Sequence, residues 1–138
     1  HRTTANIVEA AAMVSSLDTV PVNEKPVDIT PLLYHSSPLT QVDPIGYQTV
    51  HPHFYIDVTS VIETKRKMLG YHVSQIELMK HMHKIDDFFG FVLEGNRNYG
   101  KIAGVEYAEV YWQHMGGGFQ KEKQVQNDLS DFIIYKMS

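Results

Sequence analysis

Histidine is the residue type through which this chain could most readily do chemistry. Eight occur, at positions 1, 35, 51, 53, 72, 81, 83 and 114. A neutral imidazole ligates metals and changes charge near neutral pH, so position decides what each ring can do. His1 stands directly before a helical pattern, where the positive helix end favours the neutral ring and suits metal ligation. A terminal residue left by a tag or a cut gives the same pattern. His51 and His53 flank Pro52, and strand alternation would aim both at one face, a geometry that can chelate zinc. The plainer reading is a surface loop. His81 and His83 are two apart on a helix, do not face each other, and read as solvated. His72 lies between the end of one helix and the start of the next, a corner that can aim a side chain inward or bind it to backbone.

Two other residue types matter. Tyr107 and Glu109 alternate onto one strand face; a tyrosine hydroxyl can stabilise an oxyanion and a glutamate can orient a ligand. Gln75 opens a helix just after His72, and Arg97 on a later helix could bind an anionic or sugar group. Gln75 fits a solvated helix position equally well, and an arginine at such a place as Arg97 is most often a surface charge. No Ser-His-Asp order, P-loop or G-x-G-x-x-G occurs.

These residues need elements to hold them. Ile7, Ala10, Ala11, Val14 and Leu17 repeat at helical spacing and predict a helix over 3–17, with Ala10 to Ala12 packed closely against a sheet. Pro31 to His35 and His53 to Asp57 read as short strands, joined by a long loop over 36–52. Ser60 to Glu63 and Ser74 to Glu77 match the capping box, in which each side chain satisfies the other residue's backbone N–H. Gly70 is expected to end the first of these helices as a left-handed cap. Asp86 or Asp87 would cap a third helix carrying Phe88, Phe89, Val92, Leu93, Tyr99 and Ala103. Val105 to Trp112 reads as a strand, Gly116 to Gly118 as a turn, and Phe132 to Tyr135 as a last apolar run.

The 138 residues, 43% hydrophobic and 20% charged, correspond to one domain or part of one. A net charge of −4 gives no basic footprint and argues against nucleic acid as a partner. No apolar run is long enough to span a membrane. The absence of cysteine rules out disulfides and thiolate metal sites, and fits a reducing compartment and a cytoplasmic location.

Three stretches in order resemble the LmbE-like, or PIG-L, family of zinc-dependent N-acetylglucosaminyl deacetylases. His1-Arg2-Thr3-Thr4 and the alanine-rich helix resemble the end of the family's His-Pro-Asp-His motif. Tyr55-Ile56-Asp57-Val58 through Lys65, then His72-Val73-Ser74-Gln75, resembles its run ending in His-x-Ser-Gln. Arg97, Gly100, Gly104 and Tyr107-Ala108-Glu109 resemble its closing Arg, Gly and Tyr-Ala-Glu marks. The resemblance implies an α/β fold, the C-terminal part of a Rossmann-like domain with helices packed on short strands. It assigns residues 1–112 to that half and 113–138 to a C-terminal extension.

The family's first motif, His-Pro-x-Asp-Asp, has no counterpart here; His51-Pro52-His53 lacks the aspartates. In the family that motif provides two metal ligands and the general base. The resemblance therefore implies a chain that begins inside the second motif, catalytically incomplete without an N-terminal half as partner. It implies His1 as a zinc ligand, Tyr107 as a catalytic oxyanion or substrate contact, and His72, Gln75, Arg97 and Glu109 on the substrate side. The expected activity is hydrolysis of the N-acetyl group of a GlcNAc-type sugar conjugate, with a homo-oligomer open. The rival is a non-catalytic binding or assembly module that keeps the scaffold.

Overall fold

The computed structural model describes residues 2–37, 51–124 and 127–134. The architecture is mixed α/β, as the sequence predicts: the described residues form four α-helices and a four-stranded sheet of order β1-β3-β2-β4. The strands are β1 (Tyr34–Ser36), β2 (Phe54–Asp57), β3 (Ala108–Gln113) and β4 (Ile133–Ile134). The helices are α1 (Arg2–Val14), α2 (Ile62–Gly70), α3 (Val73–His83) and α4 (Phe88–Ala103). Contacts divide the chain into two compact units, His1–His35 with Trp112–Gln126, and Ser36–Tyr111 with Asn127–Ser138.

The second unit holds most of the core. β2 runs antiparallel to β3, with Tyr55 opposite Val110 and Asp57 opposite Ala108, and antiparallel to β4, with Tyr55 opposite Ile134. Phe54, Tyr55, Val58, Ala103, Tyr107, Ala108 and Val110 are buried there. β-branched and aromatic side chains fill a half-covered pleated surface well, which is why these short runs form strands.

The helix ends differ from the sequence reading in instructive ways. Neither capping box forms. A 3-10 turn, Thr59–Val61, precedes α2, and neither it nor α2 has a side-chain cap. Asp57 serves the turn instead, its carboxylate accepting from the Thr59 N–H at 2.9 Å. α3 starts after His72 with no side-chain cap, and the His72 carbonyl accepts from the Gln75 and Ile76 N–H groups. Asp87 is the working cap, its carboxylate accepting from the Gly90 N–H at 2.8 Å. Gly70 stays inside α2, and the left-handed positions are Lys84 after α3 and Gly104 after α4. Gly100 is glycine for proximity: a Cβ there would collide with the Glu106 carbonyl as the chain turns back towards β3.

In the first unit, α1 matches the predicted helix but not its predicted packing. None of its residues is buried, and Ala10 and Ala11 are exposed. Phe119 is the one buried hydrophobic residue among the described residues of this unit.

Candidate functional site

Site geometry is built on β3, because alternate residues of a strand share a face. Glu109 and Tyr111 do so: the Tyr111 hydroxyl donates to Glu109 Oε2 at 2.6 Å. The other carboxylate oxygen accepts from Lys65 Nζ at 2.5 Å. α2 brings in Lys65, whose ammonium also donates to Asn96 Oδ1 at 2.8 Å. Asn96 is buried on α4 and fixed by its own donation to the Ala108 carbonyl at 2.8 Å. Two helices and a strand therefore fix one lysine–carboxylate pair.

The pair is partly withdrawn from water, with Lys65 and Glu109 side chains 24% and 28% exposed. Burial alone would push the Glu109 carboxyl up. The hydrogen bonds from Lys65 and Tyr111, with the lysine charge, outweigh it and hold the group below its ordinary value. Burial and the Glu109 carboxylate both hold the Tyr111 phenol protonated far into the alkaline range.

This pair lies on two depressions. One is a cleft of about 320 Å3 with Ser37, Lys65, Asn96, Tyr99, Glu109 and Tyr111 on its polar side and Phe91 and Val92 among its apolar walls. The Tyr99 and Ser37 hydroxyls are hydrogen-bonded to each other at 2.5 Å. The other is a groove of about 410 Å3, mostly apolar, formed by Val58, Val61, Met68 and Leu69 with Lys65, His72 and Glu109. A fixed carboxylate, an ammonium and several hydroxyls beside apolar walls can bind a polar organic molecule by directed hydrogen bonds.

Of the residues singled out in the sequence, His72 and Glu109 come to one groove. Arg97 and Tyr107 come together elsewhere: Arg97 donates to the Tyr107 hydroxyl at 2.8 Å and its guanidinium lies 5.3 Å from the ring centre. Tyr107 is buried, its N–H donating to the Thr59 hydroxyl, and neither Arg97 nor Tyr107 lines the two depressions. Gln75 is exposed on α3 and lines neither. His81 and His83 are exposed, as predicted. His1 lies outside the described residues.

Sequence reasoning gave no functional role to Asn96, Tyr99 or Tyr111. Tyr111 falls on the predicted face with Glu109. Asn96 sits at helical spacing between Val92 and Tyr99, and a polar residue inside an apolar stripe was the available signal. Also overlooked was a group in the first unit: Glu9, His35 and His114 offer ligand atoms, one from each, within 4.8 Å of one another.

Comparisons with models of known families, with curated proteins and with solved structures found no match.

Proposed function

We propose that this chain forms the substrate side of a zinc-dependent N-deacetylase acting on GlcNAc-type sugar conjugates, of the LmbE-like kind that its motifs resemble. The observation that carries the reading is the Lys65–Glu109–Tyr111 network at the cleft. Lys65 and Glu109 both belong to the resembling stretches, and sugars are bound by such fixed charged groups beside apolar walls. In this reading Glu109 accepts from sugar hydroxyls, Lys65 fixes its orientation, and His72 closes the neighbouring groove. Arg97 holds the Tyr107 hydroxyl in place, and Tyr107 steadies the strand start. Gln75, exposed on α3 outside both depressions, has no substrate role in this reading.

A catalytic zinc needs about three protein ligands and an open position. Of the family's set only His1 has a counterpart in this sequence, so the donor set present does not fit a catalytic zinc by itself. The reading therefore requires a complementary segment carrying the His-Pro-x-Asp-Asp ligands and general base. The exposed apolar side chains of α1, Ile7 and Val8 among them, are consistent with a covering partner of that kind. Among the described residues β2 is antiparallel to both β3 and β4, so the Rossmann-like part of the reading rests on the motif resemblance alone.

Two measurements test this. N-acetylglucosamine conjugates titrated into the chain should bind, and Glu109→Gln and Lys65→Met should each weaken binding by about tenfold, the loss of one charged hydrogen bond. Joined to a segment with the first motif and loaded with zinc, the protein should release acetate. A joined, zinc-loaded protein that hydrolyses no N-acetyl sugar sinks the catalytic reading. Retained sugar binding in that same protein would favour the non-catalytic module.

A further inference from the structure

We propose that Glu9, His35 and His114 form a binding site for a divalent transition metal of the zinc class. The three side chains come from three separate segments: α1, β1 and the loop after β3. His35 Nε2 lies 3.1 Å from His114 Nδ1, and His114 Nε2 lies 3.5 Å from Glu9 Oε1. Ligands at tetrahedral corners around zinc, each about 2.0–2.1 Å from the ion, sit roughly 3.3 Å apart. These two separations involve different nitrogens of His114, of which one ion takes one; with one ligand atom from each residue, all three lie within 4.8 Å of one another, and rotation of the side chains closes that set to the tetrahedral edge length.

Two imidazoles and a carboxylate are a ligand set that zinc takes with a water in the fourth position. His114 is held for the purpose. Its backbone N–H donates to the Leu33 carbonyl at 2.8 Å, and its ring lies 4.4 Å from that of buried Phe119. Gly116 passes so close that a Cβ there would come within 3.3 Å of His114 Nε2, so glycine keeps the ring edge clear.

The surrounding unit gives the site a physical role. Phe119 is its one buried hydrophobic among the described residues, and the chain has no cysteine with which to staple it. A metal held by α1, β1 and the 114–119 turn would cross-link three segments that little else buries, and binding energy of that kind becomes folding energy. The site stands independently of the deacetylase reading, whose metal ligand would be His1.

The test uses the tag-free 138-residue chain. It is stripped with chelator and titrated with Zn2+ by calorimetry, with Co2+ as a visible-absorption probe of coordination. One ion should bind, Co2+ should show the intense visible bands of a low-coordinate site with nitrogen ligands, and Zn2+ should raise the thermal midpoint. His35→Ala and His114→Ala should each weaken binding by at least about a hundredfold, since changes beyond the ligands alone cost about 10–100-fold. Glu9→Gln, which keeps the shape of a half-exposed side chain and removes its charge, should weaken binding without altering the circular dichroism of the metal-free chain. His1→Ala and the His51→Ala/His53→Ala pair should leave it unchanged. Absence of stoichiometric binding overturns the site, as does binding that survives the His35, His114 and Glu9 substitutions or is lost with His1 or with the 51/53 pair.

Discussion

Glu109 accepts two hydrogen bonds at once, from Lys65 and from Tyr111, and this makes it the residue whose replacement says most. Glu109→Gln removes the charge that Lys65 faces and leaves a half-buried ammonium with Asn96 alone. Urea unfolding at neutral pH should show a loss of about 1–3 kcal/mol, towards the lower end because water partly screens the pair. The pH dependence has a definite sign. The folded carboxyl is held below its unfolded value, so the stabilisation is complete above about pH 4.3 and fades as pH falls through the folded value. The gap between wild-type and Glu109→Gln stabilities should therefore close on acidification; a gap that is constant from neutral to strongly acidic pH rules the charge pair out as its cause. Tyr111→Phe keeps the ring beside Phe54, 5.9 Å away, and removes only the hydroxyl, so it should cost about 1 kcal/mol in the same measurement.

At the scale of elements, the caps discriminate between sequence pattern and structure. Ser60 and Ser74 match the capping-box pattern, yet neither caps its helix, whereas Asp87 does. Thermal or chemical unfolding should show Asp87→Ala costing about 0.5–2 kcal/mol, with Ser60→Ala and Ser74→Ala within about 0.5 kcal/mol of wild type. Equal losses at all three positions would mean that the boxes do form. Gly100→Ala should cost about 1–3 kcal/mol, because its methyl meets backbone at Glu106 rather than a side chain that can swing away. The difference between legible and illegible features is physical. Strand and helix bodies were legible because periodicity records which faces are buried: β2 and α4 fell where apolar spacing put them, whereas β3, expected from Val105, begins only at Ala108 and leaves Tyr107 before the strand. Helix ends were not, because a cap depends on where the preceding chain enters; the turn at Thr59–Val61 moved the start of α2 past Ser60. The Glu109–Tyr111 face was legible from strand alternation. The convergence of Lys65 and Asn96 on it, from separate helices, depends on tertiary packing that spacing along the chain does not encode. The same holds for Glu9, His35 and His114, which lie far apart in sequence and meet only in the folded unit.

For the molecule as a whole, buried side chains are distributed very unevenly between the two units. Phe54, Tyr55, Val58, Ala103, Tyr107, Ala108 and Val110 belong to the unit built on β2, most of β3 and α4, while α1 in the other unit buries no residue and leaves Ile7 63% exposed. A helix of this length with little packing is marginal in water, since most helical stability in proteins comes from a buried face. Local opening should accordingly cost least in α1 and approach the global free energy in β2 and β3. Hydrogen exchange on the full chain, read by mass spectrometry, should show amides of α1 exchanging orders of magnitude faster than those of Tyr55, Ile56 and Val110. Equal protection in both units would mean that α1 draws stability from a contact other than its own burial. Zinc sharpens the comparison: bound by Glu9, His35 and His114, it should slow exchange in α1 and at the 114–119 turn while leaving β2 unchanged. The Glu9→Gln chain should show no such slowing, which separates a metal that ties three segments together from one that settles on the surface.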